Sequence, residues 1–292
     1  MFIATLVADG LASGQLSDAV ERLAAAGCAP ASWTWLDEGR AADVAFGVGA
    51  DLARGTLEGA FAGCDVIVQP AEGREKKLLV ADMDSTMITV ECIDELADYA
   101  GIKAQIAEVT EQAMRGELDF AAALDARVGL LRDLDEAAID QCLAERVRDS
   151  VGAEILVKTM AARGAATVLV SGGFTRFAGP VGARLGFQRV IANVLEIGAG
   201  RLTGTVTKPI VDSATKEATL LAVREELGLS PQQTLAVGDG ANDLAMIRVA
   251  GLGVAYRAKP IVAAAAGARV DHTDLTTLLY AQGISRNEWI GG

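Results

Sequence analysis

Apolar and polar positions follow two rhythms along the first seventy residues. Residues 2–8 (FIATLVA) form a short apolar run that reads as a strand. Over 15–27, Leu16, Ala19, Val20, Leu23 and Ala24 recur at three- and four-residue steps and share one helix face. Strands are predicted at 31–36 and 42–46, a helix at about 51–60, and a strand at 65–68. The order β-α-β-β-α-β suggests a small ferredoxin-like α+β sandwich over residues 1–73. The polar stretch 69–77 (QPAEGREKK), with its Pro and Gly, is expected to link it to the remainder, 74–292.

A different pattern follows. Leu78-Leu79-Val80-Ala81 is wholly apolar, as a central parallel strand buried on both faces must be. Similar runs return at 166–170, 190–194 and 234–237, separated by helical patterns such as 154–163 and 215–227. Strands alternating with helices predict a doubly wound, mainly parallel α/β sheet. Between the first and second of these strands, residues from about 88 to 151 read as almost entirely helical. An insertion there lies over the carboxyl ends of the strands, so it is expected to form a cap above a ligand crevice.

Composition narrows the function. The 292 residues are 51% apolar and 22% charged, ordinary for a folded globular protein, and aromatics are scarce at 4%. The formal charge of −13 disfavours nucleic acid and anionic membrane partners. It also repels phosphorylated metabolites, so a site for one needs local cations. Cys28, Cys64, Cys92 and Cys142 lie far apart, and with a single histidine, His272, they exclude most zinc arrangements. Reduced thiols, no signal peptide at MFIATLVADG and no long apolar run predict a cytoplasmic protein without membrane spans. His272 lies in a polar stretch and is expected to be an ordinary surface residue.

Four short segments could carry chemistry. Asp82-Met83-Asp84-Ser85-Thr86 leaves the first buried strand with carboxylates at i and i+2. One could attack phosphorus while the other gives a proton to the leaving oxygen. Asp and Ser also favour turns and caps, so the segment alone leaves both readings open. Val170-Ser171-Gly172-Gly173 ends the second strand with a hydroxyl and two glycines whose amides could approach a phosphate. Lys216 at a helix start could supply the required cation, and Gly238-Asp239-Gly240-Ala241-Asn242-Asp243 could complete an all-oxygen Mg²⁺ site. Gly47-Val48-Gly49 begins like a dinucleotide fingerprint but lacks the third glycine.

The order of these segments resembles the haloacid dehalogenase superfamily, whose motifs run DxDx[TV], Ser/Thr, Lys and GDxxxD. The resemblance covers the chain from about residue 76 onward. DMDSTMITVECIDELA, MRGELDFAAALDARVGLL, SGGF and GDGANDLAM are more closely similar to the superfamily's phosphoserine-hydrolysing branch. It implies a Rossmann-like core with Asp82 as nucleophile and Asp84 as general acid and base. Mg²⁺ would be held by Asp82, Asp239 and the Asp84 carbonyl, with Asp243 in support. Ser171, Gly172 and Lys216 would bind phosphate, Asn242 would assist, and Glu91, Met114, Phe120 and Arg127 of the cap would surround O-phosphoserine. The N-terminal unit resembles ACT-type domains in architecture, which implies a homodimer contact or an amino-acid effector site. A phosphotransferase or a phosphatase for another small ester remains open as a rival. A non-catalytic amino-acid sensor is a weaker one, since Asp82, Asp84, Lys216 and Asp239 are intact.

Overall fold

The computed structural model of the chain describes residues 1–114 and 117–291, and of Ala113 and Met114 the backbone alone. The N-terminal unit runs β1 (Phe2–Ala8), α1 (Ser13–Ala25), β2 (Pro30–Asp37), β3 (Ala41–Phe46), α2 (Ala50–Leu57) and β4 (Cys64–Pro70). Its antiparallel sheet has the order β2-β3-β1-β4, as the ferredoxin-like pattern requires. Leu16, Ala19 and Leu23 of α1 are buried against Leu6, Val44 and Val66, so the predicted apolar stripe is the face that packs.

The second unit begins with β5 (Leu78–Ala81), all four residues buried. Four helices follow as the predicted cap: α3 (Cys92–Tyr99), α4 (Lys103–Met114), α5 (Phe120–Leu130) and α6 (Ala137–Glu145). The chain then returns through α7 (Ala153–Ala162), β6 (Ala166–Phe174), α8 (Thr175–Leu185) and β7 (Arg189–Asn193). A hairpin, β8 (Leu195–Gly198) and β9 (Arg201–Val206), leads to α9 (Ser213–Glu226) and β10 (Thr234–Gly238). Last come α10 (Leu244–Val249), β11 (Leu252–Tyr256), α11 (Pro260–Ala265), β12 (Ala268–Val270) and α12 (Thr277–Ala281). The core sheet is six-stranded and parallel throughout, in the order β12-β11-β10-β5-β6-β7. After β5 the chain builds outward on one side through β6 and β7, then on the other through β10, β11 and β12. β5 therefore borders the switch point at which such sheets hold ligands.

Four strands were not foreseen. β12 has only three residues, too few for a periodic signal. β11 contains Gly253, and a β-carbon there would lie 1.9 Å from the Ile247 carbonyl oxygen, so only glycine lets α10 pack this close. The β8–β9 hairpin braces the cap, with Asp133 N donating to Leu202 O and Leu202 N to Leu134 O, both at 2.9 Å. Leu195, Leu202 and Val206 alternate inward into the core, but small and polar residues such as Gly198, Thr203 and Gly204 between them weaken the strand signal.

The stretch 69–77 is also less of a tether than its polarity suggests. Gln69 and Pro70 belong to β4, and Lys76 is buried. Arg74 donates to both Asp43 oxygens, to Thr5 Oγ1, and to the carbonyls of Tyr280 and Ala281. Asp65 accepts from the amides of Asp271, His272 and Thr273 and from the Thr273 hydroxyl. The segment joins two units tied by hydrogen bonds across a common seam. His272 has an exposed side chain, as expected. The four cysteines are free and buried. Among the described residues, no helix is long and apolar enough to cross a membrane.

Candidate active site

β5 ends at Ala81, and the next residue, Asp82, is 5% exposed and tied to β10 by its amide, which donates to Val237 O at 3.0 Å. The chain then turns through Ser85, whose φ of 55° is left-handed. This turn directs Asp84 to the N-terminus of α3, where its Oδ1 accepts from Cys92 N at 3.2 Å. From β10, the Gly238–Asp243 loop brings in Asp239 and Asp243. One carboxylate oxygen from each of Asp82, Asp239 and Asp243 lies within 4.8 Å of the others. Lys216, in the first turn of α9, is fully buried and donates to Asp82 Oδ1 at 2.5 Å and Asp243 Oδ1 at 2.6 Å. The Asp212 side chain caps that helix by accepting from Thr215 N, which fixes the turn carrying the lysine.

These charges do not balance. Burial, then the neighbouring Asp243, push the Asp82 carboxyl upward against the pull of Lys216. Burial, Asp243 and Glu91 push Asp239 up to about 6, with Thr86 and Lys259 drawing it down. Burial and Glu91 push Asp84 up to about 7, opposed by its bond to Cys92. Burial works against the Lys216 ammonium, but the Asp82 and Asp243 carboxylates more than offset it and hold the lysine protonated. An all-oxygen cluster with more carboxylates than cations suits a hard divalent ion. The Asp82, Asp239 and Asp243 oxygens fit one.

Beside the cluster lies a cavity of about 480 Å³ between core and cap. Its walls include Asp82, Asp84, Glu91, Phe120, Arg127, Gly172, Asp239 and Asn242. Of the residues singled out in the sequence, these converge on one crevice. Phe120 reaches down from α5 onto the core, and a β-carbon at Gly172 would meet its ring at 3.2 Å. A β-carbon at Gly173 would sit 2.7 Å from Asp84 Oδ2, so the second glycine makes room for that carboxyl. Glu91 is held by the Ser85 hydroxyl at 2.7 Å. Arg127, half-buried, donates through Nε to Ala123 O at 3.3 Å. Burial lowers its basicity while Asp94, Glu91 and Asp84 support the charge.

Ser171, Lys216 and Asp243 stand behind this surface. Ser171 is fully buried and its Oγ accepts from Gly173 N at 2.9 Å, bracing the glycine turn. The Met114 side chain lies outside the described residues. The sequence reading missed Ser85, Asp94, Thr110 and Lys259, which also line the crevice. Asp94 lies one turn from Glu91 on α3, a spacing that could have signalled it. Lys259 carries no comparable mark.

A family model for haloacid dehalogenase-like hydrolases matches residues 79–248. A phosphoserine phosphatase of Streptomyces coelicolor is 46% identical over 233 residues, 79% of this chain and 57% of that protein. The chain thus spans little more than half of that relative's length. A phosphoserine phosphatase of Albidiferax ferrireducens is 46% identical over 208 residues, 70% of this chain and 88% of the relative. The crystal structure of a probable phosphoserine phosphatase from Vibrio cholerae, in unliganded form, superposes with a TM-score of 0.77 at 34% identity. That superposition covers 96% of this chain and 86% of the other. On the matched range and the identity over most of a relative's length, the chain belongs to the haloacid dehalogenase-like hydrolases, and within them to the phosphoserine phosphatase group.

Proposed function

We propose that the protein hydrolyses O-phospho-L-serine to serine and phosphate with Mg²⁺, the closing step of serine biosynthesis in the cytoplasm. One observation carries the chemistry. Asp82 is paired with a protonated lysine, while two residues on Asp84 lies outside that pairing and is pushed up to about 7. Both carboxyls are pushed upward, and what separates them is geometry: the lysine bond holds Asp82 to attack and leaves Asp84 to carry a proton.

In this reading Asp82 attacks phosphorus and the P–O bond to serine breaks, leaving phosphate on the Asp82 carboxylate. Asp84 gives its proton to the departing serine oxygen, then takes one from the water that hydrolyses the aspartyl-phosphate. Lys216 holds Asp82 in line and offsets the charge of the phosphoryl group. Asp82, Asp239 and Asp243, with the Asp84 carbonyl, would hold Mg²⁺, which supplies charge stabilisation to the phosphoryl oxygens when bound. Gly172 and Asn242 border the phosphate position. The cap, with Phe120 against Gly172, excludes bulk water.

Specificity falls to the cap. Beyond its phosphate, phosphoserine carries an α-carboxylate and an α-ammonium, so the crevice must offer a cation and an anion close together. Arg127 and Glu91 line it together, and Ser85 orients Glu91 in advance. Residues 1–73 contribute nothing to the described crevice wall, and in this reading they serve assembly or amino-acid effector binding.

The test is phosphate release from three esters, with Mg²⁺ and with EDTA. Phosphoserine should be turned over in Mg²⁺ alone. Arg127→Ala should cost about 2–5 kcal/mol in kcat/KM on phosphoserine and far less on phosphoethanolamine, which lacks the carboxylate. Glu91→Gln should spare 3-phosphohydroxypropionate, which lacks the ammonium. Equal losses on all three would leave Arg127 and Glu91 as cap braces and remove the physical case for phosphoserine.

A further inference from the structure

The reading above leaves an electrostatic demand unmet. The chain carries a net charge of −13, and the crevice presents the carboxylates of Asp82, Asp84, Glu91, Asp94 and Asp239. An incoming phosphate ester is itself an anion. Lys216 cannot attract it from a distance, because it is fully buried and spends its charge on Asp82 and Asp243. Arg127 is half-buried on the cap and faces Glu91 and Asp94.

One further cation lines the crevice among the described residues, and it lies on the core side. We propose that Lys259, exposed at the rim beside Asp239, recruits the phosphate group of the substrate into the crevice. The backbone is built to hold it there. Beyond the end of β11, Arg257 adopts a left-handed φ of 44° while its amide donates to Val270 O at 2.8 Å and its guanidinium to Thr273 O at 3.1 Å. The Lys259 amide then donates to Asp239 O at 3.2 Å. Pro260, next in the chain, disfavours a helical residue before it, and Lys259 is extended at φ −59°, ψ 147°. The lysine is thus locked to the loop that carries Asp239, with its side chain on the crevice wall.

An exposed charge acts through water. It raises the rate of encounter, is screened by salt, and adds little once substrate is seated. This inference rests on the phosphoserine reading, and wild-type turnover tests that reading separately. The experiment measures kcat and kcat/KM on phosphoserine at saturating Mg²⁺ for wild type, Lys259→Gln, Lys259→Arg and Lys158→Gln across ionic strength. Lys158→Gln makes the same charge change on α7, outside the crevice wall.

Lys259→Gln should lower kcat/KM about 3–10-fold at low ionic strength, with the gap closing toward ~0.5 M salt and kcat moving less than about two-fold. Lys259→Arg should keep wild-type behaviour, as should Lys158→Gln, and the thermal midpoint of each should be unchanged. With wild type active, a loss independent of salt, a kcat falling in step with kcat/KM, an equal effect of Lys158→Gln, or no change at Lys259 would each overturn the assignment.

Discussion

Asp65, at the start of β4, and Asp82, just past the end of β5, are both buried, 3% and 5% exposed. Their surroundings differ in kind. Asp65 accepts from three backbone amides and one hydroxyl of the segment 271–273, and among the described residues no other carboxylate competes for those donors. Asp82 shares one lysine with Asp243 and lies among Asp84 and Asp239 as well. The seam between the two units places its aspartate where donors are abundant, which fixes structure. The crevice crowds carboxylates around too little positive charge, which costs stability and creates an appetite for a cation and a proton carrier. The same residue type thus becomes fastener or reagent according to how many donors converge on it.

A single substitution, Asp to Asn, applied at three positions tests this contrast. The largest effect is expected at Asp82. Asp82→Asn keeps the shape and removes the nucleophile, so turnover should fall by more than ~10³-fold without loss of fold. Retained turnover, measured as phosphate release alongside a circular dichroism spectrum, would show that Asp82 does not attack phosphorus.

At Asp65 the same change should act on stability instead. Both carboxylate oxygens accept, so an amide in either orientation points its NH₂ at a donor. Chemical denaturation should show a loss of about 3 kcal/mol, with turnover at ambient temperature within about two-fold of wild type. A neutral result would mean that the seam is held mainly by Arg74 and its partners.

The smallest effect on stability is expected at Asp84, and its size depends on pH. In the metal-free protein the folded-state carboxyl titrates at about 7, above its unfolded value of 3.8. The stability it contributes is therefore present below the unfolded value and is lost as pH rises through about 7. Asp84→Asn stays neutral and keeps an oxygen for the Cys92 amide. In EDTA its stability should match wild type near pH ~4 and exceed it near pH ~8, by on the order of 2 kcal/mol. An offset that does not change with pH would place the effect in packing rather than charge.

Much of this was legible in the chain because the relevant signals are local. A buried strand followed by Asp82-Met83-Asp84 places two carboxylates at the carboxyl end of a sheet whatever the rest of the fold does. The stripe of Leu16, Ala19 and Leu23 finds a core because the helix repeat puts these residues on one side. Gly172 and Gly173 likewise announce a close backbone approach before any partner is known.

The tertiary structure alone decided the pairings made across long separations. Lys216 and Asp82 are 134 positions apart, and nothing local says that the lysine will be buried and spent on Asp82 and Asp243 rather than left to meet substrate. That in turn leaves Lys259 as a rim cation. The polar 69–77 stretch looks like a solvated linker because its partners, such as Tyr280 and Ala281, lie more than 200 positions away. β11 is a strand despite Gly253 and Ala255 because α10 packs on Gly253 and β10 supplies its ladder. Local spacing fixes which face a side chain takes, whereas partner, burial and charge balance depend on which distant segments meet, and only folding brings those together.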